Sequence, residues 1–292
     1  MTTHHELEIE GHKLVALGFH EQRSGPTAIF LHGIASSPAF WIAGQTPVFD
    51  QRFRWYALSL PGHYPAALPA GFRRADLTAE TLARVLAEAV RRLAGGAPAL
   101  LVGHSTGGFA ALAIAAVAPE LVRSVISVSG FVQGRWGGPL GALQWLARRG
   151  PPGEVLLAAN FRLMGSSLAL YRAAVRLYTA DARAFFAFDA TDSTFRATLP
   201  DLQRLDTRAM AHYFARMPDI DISGWLPRIQ APVLALTGDR DPIVPPAQAR
   251  LIADGVPEGR LALLPGAGHI PMAERAGDYS RLVTAWAEQT VP

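Results

Sequence analysis

The chain has 292 residues, of which 50% are hydrophobic and 17% are charged, and its formal net charge is +3. This balance is typical of a globular protein with a sizeable core, and it argues against intrinsic disorder. The chain contains no cysteine, which excludes disulfides, thiolate metal sites and a cysteine nucleophile. Because the net charge is small, a nucleic-acid partner is not expected.

The beginning of the chain has neither the basic nor the apolar segment of a secretion signal, so we expect a cytoplasmic protein. Residues 93–119 contain no charged side chain and are long enough to span a bilayer. Glycines, Pro98 and the polar run His104-Ser105-Thr106 interrupt them, however, and such breaks disrupt a helix that faces lipid. We therefore predict a buried strand, a tight turn and a buried helix here, and no membrane span.

The chain starts with an alternating pattern that predicts two antiparallel strands within Glu6–His20, with a turn at Gly11. Six later runs are short and continuously apolar, which is typical of strands that helices cover on both faces. The sequence thus predicts an α/β fold with a mostly parallel, eight-stranded sheet. The six runs are Ala28–Leu31, Tyr56–Leu58, Ala99–Val102, Val125–Val128, Val233–Leu236 and Leu261–Leu264.

Helical patterns alternate with these strands. Asp76 is predicted to cap a helix whose apolar stripe reaches Leu93 and which ends at Gly95-Gly96. An apolar, alanine-rich pattern predicts a buried helix over Gly108–Val117. Two further helices are predicted over Gln248–Ala253 and Asp278–Glu288.

Strand patterns are missing between Phe131 and Trp225, where aromatic-rich helical stretches such as Leu168–Tyr178 and Thr207–Met217 occur instead. We predict that residues 131–225 form a helical insertion, or lid. Residues 1–130 and 226–292 would then form the core domain. The charge differs between the two parts, because residues 131–228 have 12 Arg against 8 Asp and Glu, whereas the remainder has a net charge of −1.

The motif Gly103-His104-Ser105-Thr106-Gly107 lies between a predicted strand and a predicted helix. This G-x-S-x-G pattern in that setting is the nucleophile elbow. The turn from strand to helix is so sharp that its flanking positions have little space for a side chain, which explains the two glycines. The turn exposes the hydroxyl of Ser105, and the start of the helix provides the positive end of a dipole. We predict that Ser105 is a nucleophile.

A serine nucleophile needs a general base, and the base needs an acid that orients it. His269 follows the last predicted strand, and Asp241 follows the strand before it. Because the loops after parallel strands open on one edge of the sheet, these side chains should meet the serine there. Asp239 is the alternative acid. The backbone N–H groups of Ile34 and Thr106 are candidate donors to the oxyanion of a tetrahedral intermediate.

Together these features resemble the α/β-hydrolase fold superfamily, in particular its members with a helical lid. The resemblance covers residues 25–130 and 225–290. It implies that Ser105 is the nucleophile, His269 the general base and acid, and Asp241 the orienting acid, with Ile34 and Thr106 as oxyanion donors. Dehalogenase and epoxide-hydrolase relatives are excluded, because they use an aspartate at the elbow. The motifs are Leu31-His32-Gly33, Leu60-Pro61-Gly62-His63, the elbow, and the loops of Asp241 and His269.

The sequence departs from the family after Gly62-His63, where Tyr64 and Pro65 replace small residues at the expected rim of the pocket. This departure does not affect Ser105, Asp241 or His269, but it weakens any inference from the substrates of family members to the substrate of this chain. His32 and His104 are expected to pack and hydrogen-bond the turns. Aromatic side chains of the insertion are expected to form an apolar acyl or aryl pocket. The residues predicted to contact substrate are His63, Tyr64, Trp136, Trp145 and Tyr213.

The sequence thus predicts a serine hydrolase that cleaves a carboxylic ester with an apolar acyl or aryl group through an acyl-enzyme intermediate. No metal-ligand cluster or phosphate loop is apparent, so neither a metal nor a cofactor is expected. The alternatives are a thioesterase, a carbon–carbon bond hydrolase, and a lyase or ligand-binding receptor. The arginines of the insertion either cover apolar helix faces with their stems or attract a coenzyme A thioester or an acidic acyl carrier protein.

Overall fold

A computed structural model describes residues 2–43 and 46–291, and these residues form one sheet of eight strands. The strand order is β1-β2-β4-β3-β5-β6-β7-β8. The β1–β2 and β2–β4 pairs are antiparallel and the other neighbours are parallel, which confirms the predicted α/β class. The strands are β1 Thr2–Ile9, β2 His12–Phe19, β3 Thr27–Leu31, β4 Arg54–Leu58, β5 Ala99–His104, β6 Val122–Val128, β7 Val233–Gly238 and β8 Gly259–Leu264.

Helices cover both faces of this sheet. Six of them, α4 to α9, lie between β6 and β7, and an isolated bridge between Gln133 and Asp221 joins the two ends of that stretch. The helices are α1 Pro47–Arg52, α2 Ala79–Leu93, α3 Thr106–Val117, α4 Gly138–Ala147, α5 Pro151–Gly165, α6 Leu168–Arg176, α7 Ala182–Ala187, α8 Ala190–Gln203, α9 Thr207–Arg216, α10 Ala247–Gly255, α11 Pro271–Glu274 and α12 Ala276–Thr290.

The uncharged stretch 93–119 contains the end of α2, the strand β5 and the helix α3, as predicted. In α3 every residue from Thr106 to Ala116 is buried. The helix packs against α2 on one side and against β3, β5 and β6 on the other, which is why it is apolar all round. Within residues 2–43 and 46–291 no helix combines the length and the hydropathy that crossing a membrane requires.

The predicted start of α2 is wrong. Thr78, not Asp76, caps this helix, and its hydroxyl accepts the N–H of Thr81 at 3.1 Å. Asp76 belongs to a short 3-10 turn before the helix, where its carboxylate accepts the N–H of Arg73 at 2.8 Å. Asp and Thr are both favoured at helix caps, so the sequence pattern alone could not distinguish the two positions.

Candidate active site

Ser105 lies at the sharp turn between β5 and α3, with φ +54° and ψ −114°. This conformation is rare for a residue with a side chain, and it persists only where the surroundings enforce it. The backbone N–H of Ser105 donates to the carbonyl of Val128 at 2.8 Å. A Cβ atom at Gly103 would overlap the carbonyl of Gly107, and one at Gly107 would overlap the carbonyl of Leu31. The two glycines of the motif are therefore required by the close approach of the backbone.

Ser105, His269 and Asp241 form a continuous hydrogen-bonded chain. The Ser105 hydroxyl lies 3.0 Å from Nε2 of His269, and Nδ1 of that ring lies 2.8 Å from Oδ2 of Asp241. Since a carboxylate can only accept, Nδ1 carries the proton and Nε2 can accept one from the serine. All three residues are buried. The three side chains thus have the arrangement that is expected of a nucleophile, a general base and an orienting acid.

The carboxyl of Asp241 is held in its ionised form. Its Oδ1 accepts the N–H groups of Ile243 and Val244 at 2.8 and 2.9 Å. Burial raises the pKa of Asp241, but His269 and the backbone donors outweigh this effect, so the pKa lies below its usual value. The alternative acid, Asp239, is exposed and accepts the N–H of Gly266 instead. Asp241 is therefore the acid that contacts the histidine.

The loop after β3 passes beside the elbow. A Cβ atom at Gly33 would lie 3.4 Å from the Cβ of Ser105, and Ile34 follows directly on the wall of the same pocket. Nε2 of His32 accepts the N–H of Leu60 at 3.1 Å, which fixes the end of β3 to the loop after β4. Thr106 is the first residue of α3. Both predicted oxyanion donors therefore adjoin the serine.

Burial keeps several histidines near the site uncharged. It lowers the pKa of His63 to about 4 and that of His104 to about 3. Nε2 of His104 donates to the carbonyl of His269 at 2.9 Å, and His32 contacts its own loop through the carbonyl of Gly33. The prediction that His32 and His104 pack and hydrogen-bond the turns is confirmed.

We expect these buried histidines to make the protein sensitive to acid. Their pKa is lower in the folded chain than in the unfolded chain, so below about pH 6.5 the unfolded chain binds more protons. Stability should therefore fall as the pH decreases from 7 to 5, by about 2 kcal/mol for each of His63 and His104. Urea unfolding at both pH values measures this loss. A His63→Gln variant should lose less than the wild type, and equal loss in both proteins would contradict the prediction.

Glu274 is a buried carboxylate that the sequence analysis missed. Its Oε2 accepts the N–H groups of Gly268, Ala180 and Asp181 at 2.8–2.9 Å. The N–H of His269 donates to the carbonyl of Tyr178 at 2.9 Å. Glu274 therefore holds the loop of His269 against the segment between α6 and α7. Its position five residues after His269 in an apolar run was the available signal, because an acid there must find buried donors.

Replacing Glu274 by glutamine should lower kcat by about 10–100-fold with little change in KM, because small displacements of a catalytic group are costly. A glutamine side chain accepts hydrogen bonds at its oxygen but not at its nitrogen. One of the backbone N–H groups would therefore lose its acceptor, and the variant should also lose about 1–3 kcal/mol of stability. Steady-state kinetics and urea unfolding measure the two effects. Glu258→Gln is the matched control, since Glu258 is exposed. Equal kcat in the two variants would show that Glu274 does not position the histidine.

A large apolar pocket contains Ser105 and His269 in its wall. It has a volume of about 1080 Å³ including its opening to solvent. Three threonines also line it, but their hydroxyl protons are donated to backbone carbonyls. Among the residues that the structure describes, no Asp, Glu, Lys or Arg lines this pocket. Its large apolar side chains include Phe40, Trp41, Phe161, Met164, Tyr171, Tyr178, Phe185, Phe188, Phe195 and Met272.

The five side chains predicted to contact substrate do not line this pocket. Trp145 is exposed on α4, with the guanidinium of Arg149 over its ring at 4.1 Å. The hydroxyl of Tyr64 accepts a hydrogen bond from Arg204 at 2.9 Å. Trp136 is buried, and its ring meets that of Phe214 edge-on.

The other two, His63 and Tyr213, are buried against each other, and the hydroxyl of Tyr213 donates to the carbonyl of Pro61 at 2.9 Å. Aromatic composition predicted a lining of this chemical type but not which ring faces the serine. That choice depends on how the helices pack, which sequence spacing does not determine. No group of three or more His, Asp and Glu side chains that could hold a metal ion occurs within residues 2–43 and 46–291.

Comparison with known proteins agrees with the fold. The chain is 26% identical over 272 residues to "Putative carbamate hydrolase RutD" of Stutzerimonas stutzeri, covering 88% of this chain and 90% of that protein. It superimposes on the enol-lactonase from Burkholderia xenovorans LB400 with a TM-score of 0.74 at 20% identity, over 97% of this chain and 99% of the other. For the esterase RhEst1 from Rhodococcus sp. ECU1013 the TM-score is 0.74 at 17% identity, over 99% of each chain.

A family model described as alpha/beta hydrolase fold matches residues 26–276, which include the elbow and the loops of Asp241 and His269. The matched region spans the sheet from β3 to β8 and all the helices between these strands. The chain belongs to the α/β-hydrolase fold family.

Proposed function

We propose that this protein is a serine hydrolase that cleaves a carboxylic ester with an apolar acyl or aryl group. The observation that carries the proposal is the hydrogen-bonded chain of Ser105, His269 and Asp241 in the wall of an uncharged, aromatic pocket. A nucleophile with its base and orienting acid supports acyl transfer. The pocket beside it favours an apolar group.

In the first half of the reaction, the Ser105 oxygen attacks the ester carbonyl while its proton moves to Nε2 of His269. Asp241 stabilises the imidazolium that forms. The carbonyl oxygen becomes an oxyanion, which the N–H groups of Ile34 and Thr106 bind at the start of α3. The imidazolium then protonates the departing alcohol, and the acyl group remains bonded to the serine oxygen.

In the second half, His269 accepts a proton from water, and the water oxygen attacks the acyl-enzyme carbonyl. The same two N–H groups bind the second oxyanion. When this intermediate collapses, the bond to the serine oxygen breaks and the imidazolium returns a proton to that oxygen. The acid is released and the serine is regenerated.

We further propose that residues 131–225 act as the lid of this site. The support is that α5, α6, α7 and α8 each provide apolar side chains to the pocket that also contains the serine. A lid of this kind would cover the acyl group and exclude water from the reacting carbonyl. Residues 1–130 with 226–292 would then be the core domain that holds the three reacting side chains.

The part of the proposed substrate that enters the pocket is neutral. Because no charged side chain lines the cavity within the described residues, a coenzyme A moiety would have to remain outside. The names of similar proteins, carbamate hydrolase and enol-lactonase, add carbamates and lactones as neutral substrates worth testing. The apolar lining of the cavity supports an acyl or aryl group rather than a small polar carbamate.

The test is kcat/KM for one acyl series from C2 to C12, offered both as p-nitrophenyl esters and as coenzyme A thioesters, with Ser105→Ala as the blank. We expect the oxyesters to be turned over faster, with an optimum at medium or long chains that fill the pocket. Faster turnover of the thioesters would assign a thioesterase. Turnover of neither series, with activity on a vinylogous diketone, would assign a carbon–carbon bond hydrolase. No reaction with a fluorophosphonate would favour a binding role or a lyase.

A further inference from the structure

The outward side of α4, α5 and α6 carries an unusual number of exposed apolar side chains. Within residues 2–43 and 46–291, five of the nine large apolar residues that are exposed lie on these helices, and a sixth, Leu177, directly follows α6. Val155 is 68% exposed and Leu163 is 62% exposed. An apolar surface of this kind on a protein marks a contact site. We call it the outer lid face, and it comprises Trp145, Val155, Leu156, Leu163, Leu170 and Leu177.

The helical spacing of the exposed apolar residues brings their side chains together on one surface. Leu163 follows Val155 and Leu156 by two helical turns, so the three share one side of α5. Leu170 on α6 and Leu177, the helical residue that caps its C-terminal end, share one side in the same way. Since α5 packs against both α4 and α6, these sides belong to neighbouring helices. The opposite sides of α5 and α6 line the pocket.

The positive charge of the protein is concentrated in the same helices. Residues 138–178 contain five arginines and one glutamate, a net charge of +4, whereas the whole chain has +3. The glutamate, Glu154, is paired with Arg74 outside this segment. Arg149, Arg162 and Arg176 have no carboxylate partner within residues 2–43 and 46–291. Three guanidinium groups that lack a carboxylate partner in the described part of the chain therefore accompany the apolar side chains.

This combination identifies the chemistry of the partner. A second copy of the chain would bring one positive face against another, which opposes association. A partner that is apolar inside and anionic at its surface matches both features, because arginines contact the headgroups while leucine and tryptophan side chains enter the acyl boundary. An anionic lipid surface has that structure.

We propose that the outer lid face docks on an anionic lipid surface, with the pocket directly behind it. Helices α5 and α6 then contact the lipid with one side and line the pocket with the other. Apolar esters are concentrated in such a surface, so docking would bring the pocket to its substrates. The docking itself does not depend on the proposed esterase chemistry, and it requires no helix that crosses the bilayer.

The experiment measures co-sedimentation of the Ser105→Ala protein with vesicles, so that binding is observed without hydrolysis of the lipid. Vesicles of phosphatidylcholine alone are compared with vesicles that also contain phosphatidylglycerol, at low and high salt. We expect binding to the anionic vesicles that high salt weakens. Leu156→Ser with Leu163→Ser, and separately Arg162→Gln with Arg176→Gln, should each reduce the partition coefficient by about tenfold. Leu282→Ser on α12 is the matched control, since Leu282 is also exposed.

The same substitutions in the protein with Ser105 should leave kcat/KM for a dissolved butyrate ester unchanged, which shows that the variants are folded. The proposal would be overturned if the Ser105→Ala protein without further substitutions did not bind the anionic vesicles. It would also be overturned if the variant with Leu156→Ser and Leu163→Ser bound them equally well. A dimer in sedimentation velocity that this variant abolishes, without vesicle binding, would assign the face to a second copy. Salt-sensitive binding of an acidic acyl carrier protein, without vesicle binding, would assign it to that protein instead.

Discussion

Replacing Ser105 by alanine is expected to lower kcat for the preferred ester by about 10⁴-fold or more, as is usual when a nucleophile is removed from a site whose parts act as a unit. The alanine cannot form the acyl-enzyme, and His269 then has no hydroxyl to activate at 3.0 Å. Some rate above that of water should remain, because the pocket and the proposed oxyanion donors are intact. Single-turnover and steady-state kinetics with a p-nitrophenyl ester measure the loss.

The control for this substitution is Ser193→Ala, which removes an exposed hydroxyl from α8. That variant should retain wild-type kcat and react with a fluorophosphonate at the wild-type rate. The Ser105→Ala protein should unfold in urea at nearly the wild-type concentration and fail to react. If Ser105→Ala hydrolysed the ester at the rate of the control, the nucleophile would have to be another group and the proposed function would be wrong.

Replacing Gly107 by alanine should cost about 4 kcal/mol or more of stability and abolish activity. The added Cβ would overlap the carbonyl oxygen of Leu31, which belongs to the backbone of a central strand and cannot turn away. Overlaps that require the backbone to move are among the few causes of losses this large. Any relief must separate α3 from β3, which moves Ser105 away from the loop of Ile34 that follows β3. Urea unfolding and ester hydrolysis measure the two losses.

Gly224→Ala is the matched control for Gly107→Ala, because a Cβ atom at Gly224 meets nothing within 4 Å. Its stability should be unchanged or slightly higher, since alanine restricts the unfolded chain more than glycine does. Equal urea midpoints for the two variants would mean that the elbow can accommodate a side chain. The close approach between α3 and β3 would then not be what the motif protects.

The sheet and the positions of Ser105, Asp241 and His269 were predictable because their signals are local. Each inner strand is a short apolar run. Ser105 directly follows β5, His269 follows a glycine turn, and Asp241 lies three residues after the end of β7. The rule that loops after parallel strands share one edge then places distant residues together. No knowledge of side-chain packing was needed for that step, which is why Asp241 and His269 meet as expected.

Features that depend on packing between helices were not predictable. Much of the lining of the pocket comes from the sides of α5 to α8 that face the core. How these helices pack determines those sides, so Phe161 and Phe195 face the cavity while Trp145 faces outward. Glu274 was missed for a related reason. Its four N–H partners come from two loops far apart in the chain, and only the folded structure brings those loops together.

The fully buried helix α3 has a consequence for how the molecule opens. Amide hydrogens of a helix without a solvent-facing side can exchange with water only when the whole domain unfolds, whereas helices with an exposed side exchange through small local openings. The amides of α3 and β5 should therefore exchange at the rate of global unfolding, and those of α5 and α6 much sooner. The strand β5 and the helix α3, which hold Ser105, would then be the last part of the chain to unfold. The helices α5 and α6 would open repeatedly in the native state.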